Sequence, residues 1–227
     1  MVIHTTMLLV TSVFTNENVD EIPTLVNVEY SQHSSDELFY TEDIRKLLLS
    51  LNTTKSPGPD RVHPKLLFEL ANIVDRPLCM IFNSSFVTGV VPDGWRIAII
   101  TALFKKGDKK SASNYRPVSL TSILCKLMEK LIRKRIVEHM DKLGLFSNRQ
   151  FGFMGGRSTS LQLLTVLEKL TKVIDDGGIV HAVYMDFMKA FDKVPHNRLL
   201  HKVRHYGISD RTCSWIKNFL NNRQLCV

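Results

Sequence analysis

The sequence predicts a helix-rich α/β (α+β) fold, and three observations carry that reading. Long stretches place apolar residues three and four apart, short β-branched-rich runs lie between them, and Gly, Pro and Asn separate the two kinds of segment. With 227 residues and 44% hydrophobic content, the chain can bury one large core or two small ones.

Residues 1–35 mix Asn, Asp, Glu and Ser without a sustained period and read as an extension or linker. From Thr41 the pattern sharpens. Ile44, Leu47, Leu48 and Leu51 keep helical spacing, with Thr41 as N-cap and Glu42 and Asp43 in the first turn. Lys55-Ser56-Pro57-Gly58-Pro59-Asp60 must then turn, because two prolines and a glycine forbid continued helix. Pro64 suits a first helical position, with Leu66, Leu67, Leu70, Ile73 and Val74 as the apolar face. Pro77 is expected to break or kink that helix before Leu78, Ile81, Phe82 and Phe86.

Ile97 to Phe104 reads as a strand, followed by the basic loop Lys105-Lys106-Gly107-Asp108-Lys109-Lys110 and an extended piece, Asn114 to Leu120. A long helix from about Ser122 to Leu143 carries Leu124, Leu127, Met128, Leu131, Ile132 and Ile136 on one face, with Gly144 as its stop. Its other face bears Lys126, Lys130, Arg133, Lys134 and Arg135, which is a solvated face or a nucleic-acid contact. Another helix spans about Ser158 to Asp176 and ends at Gly177-Gly178. The run Ile179 to Met185 then reads as a buried strand. Pro195 begins a helix with Leu199, Leu200 and Val203 inward, and Ser209 caps a last helix bearing Trp215, Ile216, Phe219 and Leu220. Gln224-Leu225-Cys226-Val227 reads as the start of a strand.

Net charge is +8 and unevenly placed: residues 1–100 hold 7 Lys+Arg against 12 Asp+Glu, and residues 101–227 hold 23 against 10. A basic half of net +13 suits a polyanion partner. Cys79, Cys125, Cys213 and Cys226 are scattered without a CxxC pair, which argues against a zinc site or a disulfide framework and for a reducing, intracellular compartment. Met7 to Phe14 is too short to span a bilayer, so no membrane partner is expected and the chain is expected to be soluble.

Asp186 closes the apolar run. A carboxylate at a strand end faces the crevice where ligands bind, and a hard-oxygen ligand there suits Mg²⁺. The alternative is an acidic cap on the helix that follows. Lys105, Lys106, Arg116 and Arg157 precede that strand on loops, as neutralising a triphosphate requires, although each also fits a surface cation. Phe191 fits the wall of a sugar pocket or a core position. His196 and His201 read as structural or surface residues, and no Walker or dinucleotide fingerprint is present.

Read together, these blocks resemble the reverse transcriptases of non-long-terminal-repeat (non-LTR) retrotransposons of the jockey or chicken-repeat type. The matching stretches are Lys55 to Asp60 with Pro64 to Leu67, Val91 to Trp95, Leu103 to Gly107, Asn114 to Ser122, Gln150 to Thr159, and Met185 to His196 with Arg198 to Leu200. The resemblance covers about residues 40–227. It implies a right-hand polymerase with fingers over about 36–150 and, over 151–227, the finger–palm junction and the first part of an incomplete palm.

The implied activity is RNA-directed DNA synthesis, a Mg²⁺-dependent deoxynucleotidyl transfer with RNA template, DNA primer and deoxynucleoside triphosphates as partners. Asp186 is then the catalytic, metal-binding carboxylate. Phe191 stacks under the deoxyribose, and Arg116 grips the triphosphate with Lys105 or Lys106 assisting. Gly155, Gly156, Arg157, Ser158 and Thr159 lie near template and primer. A retrotransposon polymerase would act in the nucleus.

Two departures stand out. Arg61 occupies a place where the family usually has glycine, so a turn needing positive φ would be strained. Met188 replaces a common serine. The family's glycine-rich substrate loop and Tyr-x-Asp-Asp-like hairpin do not occur in these 227 residues, nor is an endonuclease expected within them ahead of the polymerase part. Asp175-Asp176 precedes the Asp186 strand and is not that hairpin. The expectation is therefore a two-metal site lacking its second carboxylate block, and no synthesis by this polypeptide alone. The alternative is a non-catalytic nucleic-acid-binding remnant or a domesticated interaction module. A phosphohydrolase using Asp186 is set aside, because Met188 stands where a second carboxylate belongs.

Overall fold

A computed structural model describes residues 25, 33–111, 114–187, 190–191 and 193–226. The predicted extension lies outside them except for residues 25 and 33–35, as do Met188, Lys189, Asp192 and Val227. The described residues form seven helices and one three-stranded sheet, an α/β architecture rich in helix. They divide into two units, one of residues 1–139 with 191–227, the other of residues 140–190.

The first unit is built around helix-on-helix packing beside the sheet. Helix α1 (Thr41–Leu49) buries Ile44 and Leu48. Its N-cap is Tyr40 rather than the expected Thr41, without a side-chain cap bond, so Thr41 opens the helix from inside. In α2 (Pro64–Glu69), proline takes the first position and the His63 ring accepts the Lys65 N–H at 3.1 Å. Leu70 leaves helical geometry and starts a new helix, α3 (Ala71–Thr88). The break thus falls at Leu70, and α3 runs unbroken through Pro77, against expectation. One lost backbone bond is outweighed by burial of Ala71, Leu78, Cys79, Phe82 and Phe86 on both sides of the proline. The new start also turns Leu66 and Ile73 outward, so they leave the apolar face predicted for them.

Strand β1 (Ile97–Phe104) pairs antiparallel with β2 (Tyr115–Thr121), and helix α4 (Ile123–Lys142) follows. The Ser122 hydroxyl accepts the Cys125 N–H at its start (3.4 Å), and Gly144 at φ 63° ends the chain's helical course. Helices α6 (His196–His205) and α7 (Asp210–Leu220) lead into β3 (Gln224–Cys226), which joins β1 in parallel to give the order β2-β1-β3. Ser209 caps α7 as expected, accepting the Thr212 N–H. The core gathers Ile44, Leu48, Phe82, Phe86, Leu127, Met128 and Trp215. Trp215 stacks on Phe219 at 5.2 Å and its indole N–H donates to Ser85 Oγ at 3.0 Å.

Buried Asp75 and Cys125 in this unit are paired, whereas Arg135 Nη1 has no hydrogen-bond partner among the described residues. The Asp75 carboxylate takes two contacts from Arg45, at 2.7 and 2.6 Å. Burial works to raise its pKa, but the Arg45 guanidinium and the Arg76 backbone N–H outweigh that and hold it below the usual carboxylate range. Burial raises both the Cys125 thiol and the Glu129 carboxyl, which lie 3.4 Å apart.

The second unit holds the end of α4, a loop over residues 143–158, and α5 (Thr159–Asp175), capped by Ser158 and closed by Gly177 at φ 75°. Helix α5 buries no residue. The strand expected over Ile179–Met185 is not formed; this stretch joins no ladder among the described residues, and Val183, Tyr184 and Met185 are 84–90% exposed. Its sequence has the β-branched content of a buried strand, and without a neighbouring strand its backbone groups remain with solvent. Among the described residues, no helix is long and apolar enough to cross a membrane.

Candidate functional site

The cations predicted to meet a triphosphate are placed by a β-hairpin. Leu103 lies opposite Arg116, and the Lys105 N–H donates to Asn114 O at 2.8 Å, extending the ladder. Strand alternation therefore sets Leu103, Lys105 and Arg116 on one face, while Ala98 and Ile100 are buried on the other. Gly107 holds the turn at φ 90°, where an added Cβ would come within 2.7 Å of Asn114 Nδ2. That amide donates to Asp108 O at 2.9 Å, and the Tyr115 hydroxyl donates to Lys109 O at 2.9 Å. Phe104 and Tyr115 pack edge to face at 5.4 Å beneath Lys109. Lys105, Lys106, Lys109 and Lys110 are exposed beside exposed Arg116, an arrangement suited to polyanions.

The Lys55–Asp60 turn belongs to the same unit. A Cβ on Gly58 would sit 2.6 Å from Thr121 O and 2.9 Å from Ser122 Cα, so the turn packs backbone to backbone where β2 passes into α4. Arg61 closes it at φ 58°, its N–H donating to Gly58 O at 3.0 Å, and the left-handed backbone feared from sequence is present. The basic stripe on α4 is divided in use. Arg135 lies 4.0 Å over Phe39 and 4.6 Å over Phe86 and donates to Glu37 O; burial lowers its pKa. Lys134 pairs with Asp43 and Glu138 at 3.8 and 3.9 Å. Lys126, Lys130 and Arg133 face solvent.

In the second unit, Gly155, Gly156, Arg157, Ser158 and Thr159 form the entry to α5. Arg157 is engaged within its own loop: its guanidinium donates to Ser147 O and Asn148 O at 3.1 Å each, and to Gln150 O. It also reaches Asn148 Oδ1 at 3.4 Å and lies 5.8 Å from the Phe151 ring. The clasp was not legible in the sequence, since carbonyl partners leave no residue signature. Neither was Phe153, 88% exposed with φ 60°; its setting between glycines in Phe151-Gly152-Phe153-Met154-Gly155 was the available signal.

Asp186 is exposed at the end of a stretch that joins no strand among the described residues, so it does not stand at the edge of a sheet as expected. Phe191 belongs to the first unit and is 80% exposed, which removes the core reading. Asp186 can offer one carboxylate to a divalent cation. Among the described residues, no group of three or more His, Cys, Asp or Glu gathers to hold one. The described donor set does not amount to a two-metal site, so no step is routed through a metal here.

A family model described as reverse transcriptase (RNA-dependent DNA polymerase) matches residues 105–226, from the basic hairpin loop to β3. The chain belongs to the reverse transcriptase family. It is 33% identical over 193 residues to a probable RNA-directed DNA polymerase from transposon BS of Drosophila melanogaster. It is 30% identical over 187 residues to the RNA-directed DNA polymerase from mobile element jockey of the same organism. With the probable RNA-directed DNA polymerase from transposon X-element, also of Drosophila melanogaster, identity is 27% over 192 residues. Each match covers 82% of this chain and 20% of the relative, so the chain spans about a fifth of the length of the relatives it matches. It is a reverse transcriptase region of the non-LTR retrotransposon kind. The family is generally metal-dependent and works on an RNA template with nucleotide substrates.

Proposed function

We propose that this reverse transcriptase segment serves RNA-templated DNA synthesis by holding the incoming deoxynucleoside triphosphate and the primed RNA template. The observation that supports this most is the hairpin, whose register sets Lys105 and Arg116 on one exposed face above a turn bearing three more lysines. Guanidinium and ammonium groups so fixed neutralise a triphosphate without reorganising when it arrives. Arg116 takes the phosphates, Lys105 or Lys106 assists, and Phe191 bears on the deoxyribose. Asp186 contributes one carboxylate toward Mg²⁺, with further carboxylates required before transfer proceeds. Gly155 to Thr159 shape the approach of template and primer. In a retrotransposon setting this work takes place in the nucleus.

The test is equilibrium binding by the purified chain. A primed RNA template should bind with an affinity that falls linearly on a logarithmic salt scale, and Arg116→Ala should weaken deoxynucleoside triphosphate binding about tenfold. Salt-independent binding, or an Arg116→Ala variant that holds triphosphate as well as the wild type, would overturn the proposal. Primer extension by the chain alone would contradict the expected need for further carboxylates.

A further inference from the structure

Helix α3 is apolar on two opposite faces. One carries Ala71, Leu78, Phe82 and Phe86 into the core. The other carries Ile73, Pro77, Met80, Ile81, Ser84 and Val87, all exposed and spaced by three and four residues along a single stripe. Ile73 and Met80 are 71% and 74% exposed, Val87 and Ile81 50% and 46%. Of the charged residues in this helix, Asp75 is buried, and Arg76 alone borders the stripe. A helix that is apolar all round is one that is covered all round. A membrane surface would call for a face flanked by several Lys and Arg, which α3 does not offer.

The size of the stripe supplies an independent observation. Apolar residues exposed singly are ordinary, whereas a contiguous run of them marks an interaction surface. These side chains expose roughly 500 Å² of apolar surface, the amount in an interface of about 800 Å² per partner that is about 65% apolar. The stripe also complements itself. Turned antiparallel about Met80, Ile73 of one copy meets Val87 of the other, and Arg76 meets Ser84. The two Arg76 side chains then stand about 12 Å apart along the axis, beyond the Debye length of ~8 Å at physiological salt. A parallel pair would set Arg76 directly against Arg76.

We propose that the chain pairs with a second copy of itself through the outer face of α3, in an antiparallel two-fold contact centred on Met80. Helix α3 belongs to the same unit as the hairpin bearing Lys105 and Arg116, so each dimer holds two such hairpins. The contact uses none of the residues assigned to nucleotide or template, and it stands or falls apart from that reading.

The experiment is sedimentation velocity on the full chain, without nucleic acid, over a range of concentrations. The wild type should pass from monomer to dimer as concentration rises. Met80→Lys brings two cations together at the two-fold axis and should raise the dissociation constant about a hundredfold. Because the monomer leaves Met80 exposed, the melting midpoint at low concentration should not move. Ile73→Glu should also weaken pairing, and adding Val87→Lys should restore it. Within one copy these two positions lie about 21 Å apart along the helix, so they can pair only between antiparallel copies. A wild type that stays monomeric at about 100 μM overturns the proposal; if Met80→Lys then lowers its melting midpoint, the face is covered by a segment of the same chain. A dimer that Met80→Lys leaves intact overturns it too, by assigning association to another surface. Failure of the double variant to pair overturns the antiparallel register.

Discussion

The two units treat their apolar residues in opposite ways. The first hides Phe82, Phe86, Leu127, Met128 and Trp215 almost completely, and even its buried carboxylate, Asp75, is matched by Arg45. The second has no buried residue among those described between 140 and 190. Leu163, Leu164, Leu167 and Ile174 of α5 are exposed, as are Val183, Tyr184 and Met185 beyond it. Both segments are patterned for burial. The contrast separates local propensity from tertiary stabilisation: capping and helix period suffice to draw α5, whereas an extended run needs a partner strand before it becomes a ladder.

The largest expected effect lies in the closed unit. Trp215→Ala removes a ring that is 1% exposed, stacked on Phe219 and bonded to Ser85, and should cost about 3–5 kcal/mol in a denaturant melt. A cost below 1 kcal/mol would mean that this core is not what holds the first unit together.

A smaller effect, of opposite sign, belongs to the turn at the β2–α4 junction. Arg61 holds φ 58° with a Cβ, which costs about 1–2 kcal/mol, and glycine there gives back part of that gain through unfolded-chain entropy. Arg61→Gly should therefore stabilise the chain by about 0.5 kcal/mol, read as a higher melting midpoint. A lower midpoint would show that the Arg61 side chain makes a contribution larger than its backbone strain.

Where one residue's chemistry determines the local outcome, the sequence was readable. Pro64 at a first helical position, Ser209 as a cap, Gly144 as a stop and the Ile97–Phe104 strand follow from local residue chemistry, and the family resemblance pointed to positive φ at Arg61. Pro77 and Ile179–Met185 were not readable, because packing on both sides of a proline and a missing strand partner are tertiary facts. The candidate site divides in the same way. Lys105 and Arg116 could be named from spacing and order, and their shared face came from strand register. The Arg157 clasp came from three backbone carbonyls that no pattern of side chains announces.

The smallest expected effect is the sharpest test of the contrast between the units. Leu167 is 59% exposed midway along α5, so Leu167→Ser gives up little buried area and only a few tenths of a kcal/mol of helix propensity. The melting midpoint of the chain should shift by less than the equivalent of about 0.5 kcal/mol. The same substitution in a buried helix would cost several times more, since it would leave both a cavity and an unpaired hydroxyl. A loss of about 2 kcal/mol or more would show that α5 is covered in solution, and the second unit would then have a core of its own. An unchanged midpoint would leave the first unit as the part that folds on its own packing, with the stripe on α5 making no contribution to the stability of the chain.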